Sequence, residues 1–173
     1  MIYNNVDEIF SALATTRRHI YEQVEGLSDE QAKARPAPEI WSVAEIIEHL
    51  SNSEARMLAL VSKLLGQEAA AAANAGSSSS SISIQMMTER ATEKFTAPAY
   101  LQPTGSVPLS ESLAKLRESR AALLGLRPRI EATDYSHVTY PHPAFGPLNL
   151  YQWLAAVEFH ECKHLDQIQT HLR

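Results

Sequence analysis

Cysteine is nearly absent: Cys162 is the only one in the chain. No intrachain disulfide can form, and nothing in the sequence demands an oxidising compartment. Lysine and arginine form no cluster, and the formal net charge is −5. A phosphate-backbone binder would need a concentrated basic face, so nucleic acid is not an expected partner. No apolar run approaches membrane-spanning length. The opening "MIYNNVDEIF" lacks the basic and apolar regions of a leader peptide. The expectation is a cytoplasmic protein with no membrane contact. Strand-like alternation of any length is missing too, and so is any internal repeat.

What is present is helical periodicity. The chain has 173 residues, of which 45% are apolar. That suits one domain spanning 1–173 with a sizeable core. A first helix is expected over roughly 3–25, with Val6, Ile9, Phe10, Leu13, Ile20 and Val24 on one stripe. A second starts at "WSVAEIIEHL", where Ser42 and Glu45 have capping-box spacing, and ends near Gly66. Residues 72–81 lie in an Ala/Ser-rich stretch that cannot supply a core and read as a mobile loop. "ISIQMMTERATEKF" suggests a short helix, and "TAPAYLQPTGSVP" a proline-punctuated loop. A third long helix is expected from about Ser110 to Leu126, with Pro128 as its stop. "YSHVTYPHPAFGPL" reads as an irregular connector, after which Asn149 caps a final helix reaching about His171. The fold class is therefore all-α: an antiparallel four-helix bundle with long irregular connections.

The final helix carries the chemistry. "EFHECKHLDQI" contains H-E-x-x-H, two histidines four apart with a glutamate after the first. On a helical wheel, Leu150, Trp153, Leu154, Val157, Leu165 and Ile168 define the core stripe. His164 falls inside it and His160 at its rim, one above the other. Glu161 also projects inward, which is unusual for a carboxylate without a partner. Cys162 faces away and reads as a bland flank cysteine. Inward imidazoles beside a carboxylate are costly unless paired. A divalent ion of the zinc or nickel type pairs them well, whereas hydrogen-bonded core histidines are the plainer alternative. A catalytic site also wants a third ligand. His19 falls on a polar face, His137 and His142 sit in the connector, and His171 is two turns beyond His164. His49, at the edge of its helix's apolar stripe, is the best placed, although such a histidine is often just a surface one.

"WSVAEIIEHL", followed by "HPAFGPLNLYQWL" leading into "HECKHLDQI", resembles the DinB-like family of metal-binding helical bundles, and the similarity spans nearly the whole chain. The resemblance implies a four-helix bundle holding a zinc- or nickel-type ion on His49, His160 and His164. It also implies a range of activities from thiol-dependent S-transferases and isomerases to hydrolases.

A protease would need a third ligand downstream and a strand edge for substrate; nine residues follow His164 and no strand is evident. A ferritin-like di-iron site needs two Glu-x-x-His motifs, and Glu161 to His164 is the only one. A non-catalytic metal clip is a third option, but three histidines leave a coordination position open, whereas structural zinc sites are usually closed by four ligands. The expectation is a metal-dependent enzyme acting on a small-molecule substrate. In the preferred version, a low-molecular-weight thiol attacks an electrophile. In the alternative, metal-bound hydroxide hydrolyses it, with Glu161 taking the proton or orienting a ligand imidazole. The 135–145 connector and the "FTAPAYLQP" loop are the expected substrate-side lining. A homodimer is compatible with this reading.

Overall fold

Local capping chemistry sets where the helices begin. Asn5 accepts a hydrogen bond from the Glu8 amide and starts α1, Val6–Val24. Ser28 and Gln31 form a reciprocal capping box at the start of the short α2, Asp29–Lys33. Ser42 and Glu45 do the same for α3, Val43–Gly66, with the Ser42 amide 2.8 Å from Glu45 Oε2 and the Glu45 amide 3.3 Å from Ser42 Oγ. The remaining helices are α4, Gln85–Glu89, and α5, Leu109–Ala132. Last comes α6, Leu150–His171, capped by the expected Asn149, with Gln152 completing the box. The structure, a computed structural model, describes residues 2–66, 82–83, 85–89 and 96–173. The loop expected over 72–81 lies outside the described residues.

Pro128 does not end α5. The helix runs through it to Ala132, because Ile130 beyond the proline is buried in the core. The hydrogen bond that proline forgoes would have gone to Leu124, an exposed residue. Two short ribbons were also not expected, the first where the starts of helices were expected and the second in place of loop. One pairs β1, Ile2–Tyr3, with β2, Ile82–Ser83. The other is a hairpin of β3, Thr139–His142, and β4, Gly146–Asn149, in the stretch expected to be irregular. Pro141 and Pro147 sit opposite each other there. They disguise the strands in sequence, yet a two-stranded ribbon is all edge and tolerates them.

The four long helices form a bundle, as the periodicity implies, but not with every neighbour antiparallel. One core cluster combines Ile20 and Val24 late in α1, Val43 to Leu50 early in α3, Leu109 and Leu116 early in α5, and Leu165 and Ile168 late in α6. The other combines Ile9, Phe10 and Leu13 with Val61, Leu64 and Leu65, Leu123 and Ile130, and Leu150 to Val157. So α1 and α6 run one way, and α3 and α5 run the other. The long 67–108 connection permits this, since it can travel back along the bundle before α5 begins.

Four charged side chains are buried where the helices meet. Glu54 of α3 accepts from Arg17 Nη2 of α1 at 2.8 Å, Arg120 Nε of α5 at 2.7 Å and Ser119 Oγ at 2.9 Å. Glu161 of α6 accepts from Arg120 Nη2 at 2.6 Å and also from Arg17. Arg120 Nη1 also lies 2.8 Å from the Leu13 oxygen and Arg17 Nη1 3.1 Å from the Leu116 oxygen, while buried Arg17 Nε has no hydrogen-bond partner among the described residues. Two positive and two negative charges thus cancel in a network that touches every long helix. Burial pushes the Glu54 carboxyl up, but the adjacent guanidiniums outweigh it and hold the group below the ordinary range.

Candidate metal centre

Where α3 lies against α6, three imidazoles converge. His49 Nε2 and His164 Nε2 each stand 3.1 Å from His160 Nε2. One ligand atom from each ring lies within 4.8 Å of the other two. The antiparallel packing of α3 on α6 achieves this, bringing the second turn of α3 beside the later half of α6. The i,i+4 spacing then stacks His160 and His164 on one face. Two nitrogens bound to one tetrahedral ion at ordinary zinc–nitrogen lengths would stand about 3.3 Å apart. The spacing therefore fits a single ion.

The outward ring nitrogens show which lone pairs face the centre. His49 Nδ1 is 2.8 Å from the Leu101 carbonyl oxygen, and His164 Nδ1 is 2.7 Å from Gln167 Oε1. A carbonyl can only accept, and the Gln167 oxygen likewise, so each Nδ1 carries the proton and each Nε2 presents a lone pair inward. A proton on His160 Nε2 would serve one of these lone pairs well and leave the other facing a nitrogen. A cation satisfies all three at once. The Trp41 ring closes one side, with centroids 5.0 Å from His49 and 6.5 Å from His164.

Each ring is kept neutral. Burial lowers His49 and, with the neighbouring histidines, takes His160 well below its ordinary value; burial chiefly brings His164 to about 4. Burial likewise takes His142 of β3 to about 4, where its ring packs against Phe145 and Trp153 at 4.6 and 4.8 Å. An unfolded chain takes up these protons near pH 6.5, whereas the fold does not. Metal-free protein should therefore lose stability steadily as pH falls from 7 to about 5, by up to about 1.4 kcal/mol per pH unit for each fully shifted histidine. Carboxylates add to the loss only nearer their own titration range. Bound metal should be held until pH nears these lowered values, about 4 for His164, since protons compete for the same nitrogens in the folded site. Urea unfolding with and without chelator, across and below this range, measures both. Metal-free profiles flat from pH 7 to 5 would contradict the neutral three-histidine centre.

The expected residues do not all meet. His49, His160 and His164 come together. Glu161 does not join them: its hydrogen bonds run to Arg17 and Arg120, away from the imidazoles. The inward carboxylate did have partners, but they lie on α1 and α5, which periodicity on α6 alone does not reveal. Cys162 is half-buried and donates to Glu158 Oε1 at 2.8 Å. Burial and that carboxylate push its thiol up to about 12, so it is no nucleophile. Trp41, the Leu101 carbonyl and Gln167 are new to the site. Leu101 falls in the loop expected to line the substrate side and Trp41 opens the quoted helix start, while Gln167 stands at i,i+3 from His164.

An all-helical bundle presenting three convergent histidines defines a class of protein with a candidate mononuclear metal site. The DinB superfamily matches the chain over residues 12–168, and the chain belongs to that superfamily. It is similar to the uncharacterized protein YuaE of Bacillus subtilis (strain 168), with 25% identity over 154 residues that cover 88% of this chain and 90% of the relative. Among solved structures it is similar to TT2238, a four-helix bundle protein, with TM-score 0.64, 22% identity, and coverage of 95% of this chain and 98% of the other. It is also similar to YfiT from Bacillus subtilis, described as a probable metal-dependent hydrolase with an unusual four-helix bundle topology. There the TM-score is 0.66 and the identity 18%, over 96% of this chain and 85% of the other. No helix among the described residues is long and apolar enough to cross a membrane.

Proposed function

We propose that this protein is a mononuclear metal enzyme acting on a small-molecule electrophile, with a low-molecular-weight thiol as co-substrate: a thiol-dependent S-transferase. The convergence of three Nε2 atoms, with no carboxylate hydrogen-bonded to any of the three rings among the described residues, carries this reading. A zinc- or nickel-type ion held there would lower the pKa of a thiol or water and polarise an electrophile. His49, His160 and His164 would hold it. The Leu101 carbonyl and Gln167 keep two of those rings in the binding tautomer. Trp41 shields the rings on one side and limits water.

The buried carboxylates nearby have hydrogen-bond partners away from the three rings, Glu161 through Oε1 alone, its Oε2 having no partner among the described residues. Glu161 answers two arginines, Glu158 accepts from Tyr3 at 2.7 Å and from Cys162, and Glu48 accepts from Thr104. Hydrolysis usually needs a placed general base, whereas a thiol brings its own nucleophile once deprotonated. That favours the transferase. The description of YfiT favours a second reading, metal-dependent hydrolysis. Turnover of a panel of small electrophiles, with zinc or nickel and with or without added thiols, separates the two. The transferase reading expects consumption only when thiol is present, with a thioether or thioester product. Equal turnover without thiol would replace it with the hydrolase.

A further inference from the structure

The segment 96–108 crosses the start of α3 as a strap, stiffened by Pro98, Pro103 and Pro108. It contributes the carbonyl of Leu101 to His49 Nδ1 at 2.8 Å. Its hold on the helix comes from the residue just before that histidine. The Glu48 carboxylate is buried and accepts three hydrogen bonds from the strap: the Thr104 amide at 2.8 Å, Thr104 Oγ1 at 2.8 Å and the Gly105 amide at 3.1 Å. The approach there is close. Gly105 has φ +71°, and a Cβ on it would lie 3.1 Å from Glu45 Oε1. On the other side of Leu101, the Tyr100 ring packs 5.0 Å from the Arg56 guanidinium.

We propose that Glu48 is a positioning residue for the three-histidine centre: by clamping Thr104 and Gly105, it keeps the Leu101 carbonyl on His49 and so aims the His49 Nε2 lone pair at its partners. The physical reason is tautomeric. A neutral imidazole carries one ring proton, and the acceptor it meets decides which nitrogen bears it. With Leu101 in place the proton sits on Nδ1. If the strap loosens, that acceptor is lost and the proton can move to Nε2, where it blocks ligation. Glu48 thus acts on His49 through the strap rather than by touching it. The affinity part of the test rests on the metal reading above; the tautomer part does not.

The test uses the full chain labelled with 15N-histidine, comparing Glu48→Gln, Thr104→Val and Thr104→Ser with the parent. Nitrogen chemical shifts of the metal-free protein report the tautomer of each ring, and competition against a chromophoric chelator reports zinc affinity. In Glu48→Gln and Thr104→Val, His49 is expected to lose its fixed Nδ1–H form while His164, held by Gln167, keeps its own. Zinc affinity should fall by about 10- to 100-fold, the usual cost of losing an outer hydrogen bond to a ligand. Thr104→Ser retains the hydroxyl and should restore both readouts. Thr104 is exposed, so Thr104→Val decides the matter even if Glu48→Gln fails to fold. An unchanged His49 tautomer in Thr104→Val overturns the clamp, whether or not affinity falls. Zinc affinity within a factor of about two of the parent, in a parent that binds zinc, overturns it as well. A parent that binds no zinc or nickel would instead defeat the proposed function, while the tautomer comparison still judges the clamp.

Discussion

Glu54→Gln should destabilise the protein by about 3–5 kcal/mol, the cost of removing one partner from a buried charge pair. Glu54 accepts from both buried arginines and from Ser119. The amide keeps the shape, yet it removes the negative charge and turns one acceptor into a donor facing guanidinium protons. Arg17 and Arg120 would then share only Glu161, leaving excess positive charge in the bundle interior. Urea unfolding of metal-free protein at neutral pH measures the loss. A change below about 1 kcal/mol would mean that water reaches the network and screens it, as at an exposed pair. Glu161→Gln should act in the same way, on stability. Its zinc affinity per folded molecule should fall well short of the about 10- to 100-fold loss expected of a group that orients a ligand imidazole. A loss of that size would return Glu161 to the site's working parts.

His160→Ala should weaken zinc or nickel binding by at least about 100-fold, roughly 2.7 kcal/mol, and remove turnover with it. His160 is the ring whose Nε2 stands 3.1 Å from both others, so its loss separates the remaining pair. Metal-free stability should respond differently. The half-buried His160 ring makes hydrogen-bond contact only with the other two imidazoles, so the apo variant should unfold near the parent's midpoint. The parent's stabilisation by added metal, about 2.7 kcal/mol at a hundredfold excess over Kd, should vanish. Metal content of tag-free protein, followed by thermal unfolding with and without zinc, provides the measurement. A variant that keeps one stoichiometric ion and its thermal shift would sink the three-histidine centre.

Much of the architecture was written locally. The stripes of apolar residues in α1, α3 and α6, the Ser42–Glu45 box and the Asn149 cap depend on spacings within a few residues, so sequence alone determined those helices and the starts of α3 and α6. The inward aim of His164 and Glu161 followed from the same periodicity. Other features depended on partners remote in sequence. Pro128 marks a helix end by local rules, but burial of Ile130 carries α5 past it. The relative directions of α3 and α5 depend on the course of a long connection, which no periodicity records. His49 was an edge histidine on its own wheel; its proximity to His160 exists only because α3 packs antiparallel on α6. Glu161 shows the limit most clearly. Its neighbours in sequence are the two candidate ligands, but its neighbours in space are Arg17 and Arg120. Sequence determined that a charge would be buried there, and tertiary packing, which surrounds one helix with three others, decided which charges it would meet.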